Sequence, residues 1–302
     1  MLTKALFYSF RFFVRLLPLA LALFIGKMLG WLWYYVIPIR KTLVKKQIKK
    51  ALGKDLDAST VSGIARRMFE NLGQNFIEFF LFDPAKPAEM TSLVEYKNKE
   101  ILDAAVAQNK GVLVLTAHFG NWDLLCCSQA LAGLPLTIIS KNIKPDWLND
   151  YWMNTRKACG VNILPDRDVK QQLLQKLNQG EVIGFVIDQH APERFGVVVD
   201  FFDMPASTTS GFARLAIESG APVVPVFITR RKNGKHLMEV FDPVEIVEGE
   251  DLAETIILTT YAYNKVLEDC IRRNPDHWLW LHRRWKVAEQ QASTPVQNHE
   301  VL

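Results

Sequence analysis

The segment from Gly111 to His118 constrains the fold more than any other part of this chain. It is apolar through Ala117, apart from Thr116, and it ends in a histidine. A continuous apolar run of this length is typical of a strand that is buried on both faces, as strands in parallel sheets are. Further short apolar runs follow, and stretches with helical spacing separate them. Strands that alternate with helices predict an α/β fold with a mainly parallel central sheet flanked by helices.

The remaining elements are predicted from apolar spacing and from turn residues. Further strands are expected at residues 136–140, 161–164, 182–188, 223–229 and 236–241. Helices are expected at residues 55–84, 122–131, 146–158, 168–178, 211–219 and 252–272, with a last helix from about residue 276. The 302 residues are enough for a sizeable core in one or two domains.

Charge is distributed unevenly along the chain. Residues 1–50 contain ten Lys or Arg and no Asp or Glu, whereas the remaining residues contain 26 basic and 32 acidic side chains. This split excludes a uniformly basic nucleic-acid-binding protein, and no nucleic-acid partner is expected. It indicates a basic, apolar N-terminal segment that is joined to a mildly acidic globular body.

The N-terminal segment predicts a membrane anchor. Residues 16–39 carry a single charge, Lys27, and a helix of that length would reach about 36 Å, enough to cross a hydrocarbon core of about 30 Å. Lys27, Pro18 and Pro38 oppose a simple span, so a helix lying in the interface is the alternative. Six cations between Arg40 and Lys50 favour the anionic, cytoplasmic leaflet.

We therefore expect an anchor and basic juxtamembrane segment at residues 1–50, a globular domain at 51–288 and a polar tail at 289–302. A cleaved signal peptide and a buried hairpin with a solvated basic flank are the other interpretations of the N-terminus. The four cysteines form one adjacent pair and two single residues, without a C-x-x-C pair. This pattern favours reduced thiols in a cytosolic compartment.

Ionisable residues end two of the predicted strands, and ligands of α/β sheets bind beyond the carboxyl ends of strands. His118 closes the first strand and Asp188 closes the strand at 182–188. Asp123 follows His118 by five residues, in the first turn of a helix for which Asn121 is the predicted N-cap. A turn of this length brings Asp123 within reach of the imidazole. Asp123 would hold one ring nitrogen as N–H and leave the other free to accept a proton.

This histidine and aspartate lack a nucleophile of their own. No G-x-S-x-G sequence occurs, and Cys126 and Cys127 lie beyond Asp123 on the helix. A base without a nucleophile must deprotonate its substrate, and the natural target is a hydroxyl that attacks an activated acyl carbon. Two other interpretations stay open: a structural histidine beside a capping aspartate, and a metal site that Asp188 and His190 would join.

The sequence Thr-Ala-His-Phe-Gly-Asn-Trp-Asp at 116–123 resembles the signature of the glycerolipid and lysophospholipid acyltransferase superfamily. From the N-terminus to about Lys286, the chain more specifically resembles the bacterial lipid A late acyltransferases, the lauroyl and myristoyl transferases. Supporting stretches lie at residues 163–167, 185–189, 200–209 and 223–227. The closing Trp-Leu-Trp-Leu-His-Arg-Arg-Trp-Lys at 278–286 is the most characteristic.

The resemblance implies an acyltransferase of the cell inner membrane whose catalytic domain lies on the cytoplasmic face. Such an enzyme moves a fatty acyl chain from acyl–acyl carrier protein, or from acyl-CoA, to a hydroxyl of a lipid A precursor. It needs no cofactor or metal and forms no acyl-enzyme. His118 would be the general base and Asp123 would orient it, with Asp188 competing for that role. The expected partners are acyl carrier protein, the membrane, and a lipid A precursor or related glycolipid.

The resemblance also implies a set of substrate-binding residues: Arg156, Arg167, Asp188, Gln189, Arg283 and Arg284. Arg156 and Arg167 match positions of substrate-contacting arginines, and a guanidinium suits a phosphate or a developing oxyanion. Arg283 and Arg284 would bind an anionic headgroup at the membrane surface. The alternative for each arginine is a solvated surface charge.

The motif leaves the acceptor open. Many lipid A acyltransferases have Glu where this chain has Asp123, and the His-Phe-Gly-Asn-Trp-Asp form also resembles the mannoside acyltransferases of phosphatidylinositol lipids. The acceptor is therefore a lipid A precursor, another glycolipid or a lysophospholipid. A third hypothesis is a non-catalytic lipid-binding protein on the same fold. Neither the acyl chain length nor the donor follows from the motif.

Overall fold

The structure, a computed structural model, describes residues 2–37, 39–53 and 55–293. Pro38 and most of the predicted polar tail, residues 294–302, lie outside the described residues. The helices are α1 (Leu2–Arg15), α2 (Leu19–Tyr35), α3 (Lys41–Leu52), α4 (Ala58–Leu81), α5 (Pro87–Thr91), α6 (Lys99–Ala107), α7 (Trp122–Leu131), α8 (Asp146–Ala158), α9 (Lys170–Asn178), α10 (Gly211–Ser219), α11 (Leu252–Arg273) and α12 (Lys286–Ser293). The strands are β1 (Val94–Lys97), β2 (Val112–Thr116), β3 (Leu136–Ile139), β4 (Asn162–Leu164), β5 (Val182–Val186), β6 (Gly196–Phe201), β7 (Met204–Thr209), β8 (Val223–Arg230) and β9 (His236–Val240).

A seven-stranded sheet lies at the centre, in the order β1-β9-β8-β2-β5-β3-β4. Its neighbouring strands are parallel, except that β8 and β9 are antiparallel. Strands β6 and β7 form a separate antiparallel pair. The predicted α/β fold with a mainly parallel sheet flanked by helices is confirmed.

Strand β2 is buried along its whole length, as its apolar run predicts. Leu113 and Leu115 belong to a hydrophobic cluster that includes side chains of α9, α10 and α11. Val112 and Val114 belong to a second cluster with side chains of α6 and α7. Because successive side chains of a strand point to opposite faces, a strand covered by helices on both faces has to be apolar at every position.

The end of the chain differs from the prediction, because the last helix begins at Lys286 and not near residue 276. The segment between them pairs its backbone with the turn after β2. Gly120 donates its N–H to the carbonyl of His277, and Leu279 donates to the carbonyl of His118. The indole of Trp278 is buried in the core. Backbone groups used in these contacts are not free to form helical hydrogen bonds.

Helix α2 occupies only Leu19–Tyr35 of the N-terminal apolar run, so a helix over the whole of residues 16–39 is wrong. Helix α1 ends at Arg15 and α2 begins after Pro18, which lacks the N–H that a continuing helix requires. Helix α2 then packs on α4 through glycines. A Cβ atom on Gly30 would lie 2.1 Å from the carbonyl oxygen of Phe69, so the two helix backbones are in direct contact. Within the described ranges, no helix has both the length and the hydropathy to cross a membrane.

The first two helices leave many apolar side chains uncovered. We call one set of these the N-terminal apolar face, and its members are 41–65% exposed: Leu6, Phe12, Phe13, Leu16, Phe24 and Leu32. The opposite side of α1 contributes Val14, which is buried with Ile77 and Phe80 of α4. Helices α1 and α2 are therefore attached to the body by one side and expose apolar side chains on the other.

Candidate active site

The centre of the site is a contact between His118 and Asp188, which follow two neighbouring parallel strands. Thr116 of β2 lies opposite Val186 of β5, so the residues two positions further on meet at the carboxyl edge of the sheet. Asp188 Oδ1 lies 2.9 Å from His118 Nδ1, and Asp188 Oδ2 accepts the backbone N–H of His118 at 3.0 Å. One carboxylate therefore fixes both the imidazole and the main chain that carries it.

Asp188 is itself buried, with 2% of its surface exposed. The indole Nε1–H of Trp278 donates to its Oδ2 at 2.8 Å. Burial acts to raise the pKa of this carboxyl, but the charge of the imidazolium and the hydrogen bonds outweigh burial and lower the pKa to about 2. Asp188 is therefore ionised at neutral pH and accepts the Nδ1–H of His118.

The imidazole of His118 is prepared to take up a proton. Burial acts to lower its pKa, but the carboxylates of Asp188 and Asp123 outweigh that effect, and the pKa is raised above its usual 6.5. With Nδ1 held as the donor, Nε2 is the acceptor in the neutral ring. His118 lines a cavity, and no described residue forms a hydrogen bond with Nε2.

Asp123 is close to His118 but does not form the expected hydrogen bond with its ring. Its Oδ1 accepts Trp152 Nε1 at 3.0 Å and Arg156 Nε at 2.8 Å. The reason is local: Asn121 caps α7 as predicted, accepting the N–H of Leu124 at 3.0 Å, and the first turn of α7 then directs Asp123 towards α8. Asp188 thus holds the ring in place of Asp123, whose influence on His118 is through its charge.

Arg156 is not a solvated surface charge. Only 9% of it is exposed, and its guanidinium forms an ion pair with Asp123 at 2.7 Å. Its NH1 also donates to Ser140 Oγ at 3.2 Å. Burial acts to lower the pKa of Arg156, but Asp123 raises it, so the guanidinium stays charged. This ion pair lies in the wall of the same cavity as His118.

The other two central predictions have different outcomes. Gln189 lines the cavity, with its side-chain amide nitrogen 3.4 Å from His118 Nδ1. Arg167 lies on an exposed loop after β4 and forms no hydrogen bond or ion pair with the part of the chain that the structure describes. Its neighbour Asp166 lines the cavity. The structure therefore brings Gln189 to the site and leaves Arg167 at its margin.

The two adjacent arginines near the C-terminus differ completely. Arg283 is exposed and forms an ion pair with Glu289 at 2.7 Å. Arg284 has no exposed surface, and it donates to the carbonyl of Ser207 and to Thr208 Oγ1, both at 2.5 Å. Burial lowers its pKa to about 10. Headgroup binding by Arg284 is therefore wrong, because its donors bind the β6–β7 pair from inside the protein.

We expect Arg284→Ala to lower the free energy of unfolding by about 2–5 kcal/mol, since it removes two buried hydrogen bonds to Ser207 and Thr208 and opens a cavity. Arg283→Ala is the matched control and should change stability by about 0.5 kcal/mol or less. Thermal or denaturant unfolding of the two variants gives the comparison. Equal stabilities would contradict the structural role of Arg284.

The cavity beside the imidazole has a volume of about 620 Å³. Its polar end includes His118, Arg156, Asp166 and Gln189, and its apolar part includes Leu102, Val114, Leu136, Ile138, Val226 and Met238. Leu136 lies at the level of Val112, where β2 begins, because both residues pair with Val182. Thr116, which also lines the cavity, is four residues further on, about 13 Å at ~3.3 Å per residue. The cavity is therefore elongated along the strands and suits an extended apolar chain.

Two indoles complete the site and were not among the predicted site residues. Trp278 donates to Asp188, and Trp152 donates to Asp123. Buried carboxylates require donors, and an indole N–H can only donate. The tryptophan-rich closing motif was a signal for Trp278, whereas nothing in the sequence indicated Trp152. Among the described residues, no group of three or more His, Cys, Asp or Glu side chains is arranged to hold a metal ion.

A histidine that is held by a buried carboxylate and lines an elongated apolar cavity suits an enzyme that acts on a long-chain acyl substrate. Residues 2–287 match the family model described as bacterial lipid A biosynthesis acyltransferase. The chain belongs to this family, and the protein is an acyltransferase.

Relatives with assigned activities differ in donor chain and in acceptor. The chain is 30% identical to a lipid A biosynthesis lauroyltransferase from Escherichia coli (strain K12) over 74% of this chain and 71% of that protein. It is 24% identical to a lipid A biosynthesis palmitoleoyltransferase from the same organism, over 90% of this chain and 87% of that protein. A phosphatidylinositol mannoside acyltransferase from Mycobacterium tuberculosis (strain CDC 1551 / Oshkosh) is 28% identical over 61% of this chain and 57% of that protein.

Proposed function

We propose that this enzyme transfers a fatty acyl chain from acyl–acyl carrier protein, or from acyl-CoA, to a hydroxyl of a lipid A precursor. The observation that carries the proposal is the His118–Asp188 pair, whose imidazole lines the apolar cavity. The lauroyl and palmitoleoyl relatives support a lipid A precursor as the acceptor. The phosphatidylinositol mannoside relative supports a related glycolipid as the second candidate.

In this mechanism, His118 Nε2 accepts the proton of the acceptor hydroxyl as the oxygen attacks the thioester carbonyl carbon. Asp188 keeps Nδ1 protonated and stabilises the imidazolium that forms. The tetrahedral intermediate then collapses, the carbon–sulfur bond breaks, and the leaving thiolate takes the proton from Nε2. The acyl chain passes directly from donor to acceptor, so no acyl-enzyme forms.

The cavity has a defined part in this reaction. Its apolar section would hold the acyl chain, since it extends from the level of Thr116 to the beginning of β2. The buried Arg156 would lie beside the thioester carbonyl, where a guanidinium favours the developing oxyanion. Asp123 would keep that guanidinium in place and balance its positive charge before the substrate binds.

The acceptor is tested with the purified full chain and a panel of lipids. Acyl–acyl carrier protein and acyl-CoA are supplied in parallel with underacylated lipid A precursor, lysophospholipid or phosphatidylinositol mannoside. Mass spectrometry then shows which acceptor gains one acyl group. We expect the lipid A precursor to gain mass, and a gain on the phospholipid alone would overturn that acceptor.

The enzyme also has to reach a lipid acceptor, and we propose that the N-terminal apolar face docks it on the cytoplasmic leaflet of the inner membrane. Support comes from the exposed side chains of α1 and α2. The basic residues of α3 follow directly in sequence, where they suit anionic headgroups. Each large apolar side chain that leaves water for a membrane contributes about 1.5–3 kcal/mol.

We expect the double change Phe12→Ser with Phe13→Ser to lower binding to anionic phospholipid vesicles by about 10-fold or more, because two phenyl rings are lost from the contact. Both rings are more than 60% exposed, so folding should not depend on them. Leu252→Ser is the matched control, since this apolar residue is 60% exposed on α11. Vesicle sedimentation measures the binding, and unchanged binding by the double variant would contradict the docking proposal.

A further inference from the structure

A buried charge on α4 lies directly behind the turn that carries the catalytic residues. Glu78 has 2% of its surface exposed, and its neighbours Ile77, Phe79 and Phe80 are buried apolar residues. A carboxylate in such surroundings is costly unless every oxygen is paired. The chain keeps one here although the proposed chemistry does not use it.

Two basic partners of Glu78 lie on the antiparallel strands β8 and β9. Arg230, at the end of β8, donates from NH1 to Oε1 and from NH2 to Oε2, the latter at 2.7 Å. His236, at the start of β9, lies 2.9 Å from Oε1 through its Nε2. Burial acts to raise the pKa of Glu78, but Arg230 and His236 hold it well below its usual range. The charge therefore persists at neutral pH.

The same group of side chains holds the turn at residues 118–121. Asn121 donates from Nδ2 to Glu78 Oε2 at 2.5 Å. That contact directs its Oδ1 towards the N–H of Leu124, where it caps α7. Asn75, one turn before Glu78, donates to the carbonyl of Gly120 at 2.5 Å and accepts Arg230 NH2 at 2.8 Å.

The turn at residues 118–121 is closely packed against its neighbours. Gly120 has a φ of +57°, and a Cβ atom there would lie 1.8 Å from the carbonyl oxygen of Ile228. The turn therefore rests on β8, the strand that also carries Arg230. On its other side, α4 contacts the turn through the amide of Asn75 and the carboxylate of Glu78.

We propose that Glu78 is a positioning residue for acyl transfer: paired with Arg230, it fixes Asn121 and Asn75 and so sets the positions of His118 and Asp123. The inference rests on the proposed role of His118 as the base. The charge of Glu78 orients the amides of Asn75 and Asn121. An ionised carboxylate only accepts hydrogen bonds, so it can accept from Arg230 and from Asn121 at the same time. A neutral amide at position 78 would present an NH2 group to one of these donors and leave the guanidinium without a counter-charge.

The test is Glu78→Gln in the full chain, assayed at saturating and at limiting acyl donor. We expect kcat of the folded protein to fall by about 10- to 100-fold, because a displacement of roughly 1 Å of a catalytic group has an effect of this size. The KM for the acyl donor should change by less than about twofold, since the cavity walls do not involve Glu78. Glu78→Asp keeps the charge and should recover part of kcat.

Glu70→Gln is the matched control. Glu70 lies two turns earlier on α4, is also buried, and pairs with Arg66 at 2.5 Å without contacting the turn. It should lose stability and keep kcat. A kcat within about threefold of the parent in folded Glu78→Gln protein would overturn the inference, as would an equal fall in kcat for both variants.

Two further variants keep the question answerable if Glu78→Gln does not fold. Asn75→Ala and Asn121→Ser leave the Glu78–Arg230 pair in place, and serine can still cap α7. Each should lower kcat without changing the donor KM, and normal kcat in both would overturn the inference. His118→Ala separates failure of this inference from failure of the proposed function. An active His118→Ala variant would refute the assignment of His118 as the base. An inactive His118→Ala variant together with a fully active Glu78→Gln variant would refute only the positioning role of Glu78.

Discussion

Replacing His118 with alanine is expected to abolish acyl transfer while the protein stays folded. The loss should reach about 10²- to 10⁴-fold in the rate of the chemical step, the usual contribution of a general base. Folding should survive because Asp188 keeps two of its donors, the backbone N–H of residue 118 and the indole of Trp278. The imidazole also borders a cavity, so its removal leaves little close packing to be lost.

Single-turnover transfer from an acyl thioester, beside thermal unfolding, measures both parts of this prediction. If transfer continues near the parent rate, His118 is not the base. If the variant unfolds instead, the histidine is structural, as one interpretation of its spacing to Asp123 allows. Loss of transfer with an unchanged unfolding transition is the expected result.

Asp188→Asn is expected to lower the transfer rate by about 10²- to 10⁴-fold and to move its pH dependence. An asparagine that offers its NH2 to Nδ1 selects the tautomer in which Nε2 carries the proton, so the base is lost. The sign of the pH effect follows from Asp188, which raises the pKa of His118 above 6.5. The parent rate should therefore rise with pH through a midpoint above 6.5, and the midpoint of the variant should be lower.

Asp123→Asn is the matched comparison, since it removes a carboxylate that affects His118 without a hydrogen bond to the ring. It should move the midpoint in the same direction by a smaller amount, because Asp188 is the larger influence on the imidazole. The measurement is kcat/KM against pH for parent and variants. A larger shift for Asp123→Asn than for Asp188→Asn would mean that Asp123 orients the base.

Much of the fold could be predicted because its signals are local. The apolar run of β2 and the helices α7, α8 and α10 follow from the spacing and capping of neighbouring residues. The last helix was misplaced because Trp278 and its neighbours pair with the turn after β2, some 160 residues earlier in the chain. The apolar spacing of residues 16–39 predicts a longer helix than α2, which begins only after Pro18 and contacts α4 through glycines.

The residues of the site likewise fall into two groups, those that local sequence signals predict and those that they do not. His118 and the cap at Asn121 could be predicted, because a strand end, a turn and a helix start lie within six residues. Glu78 and Trp152 could not, since their partners lie at least 29 residues away and depend on the packing of α4 and α8. Arg283 and Arg284 are the same residue type in adjacent positions, so only their side-chain directions separate an exposed ion pair from a buried anchor.

By itself the sequence determined that β2 is buried on both faces, that it ends in a histidine, and that a capped helix begins just beyond it. These features are local, since apolar spacing, a glycine turn and a helix cap act over a few residues. Only the tertiary structure decided which carboxylate holds the imidazole. The register of β2 against β5 brings Asp188 beside His118 although 70 residues separate them in the chain. Asp123, which is nearer in sequence, instead accepts a hydrogen bond from Arg156. Strand register and the pairing of buried charges depend on the whole packed fold, and they determine how the imidazole of His118 is held.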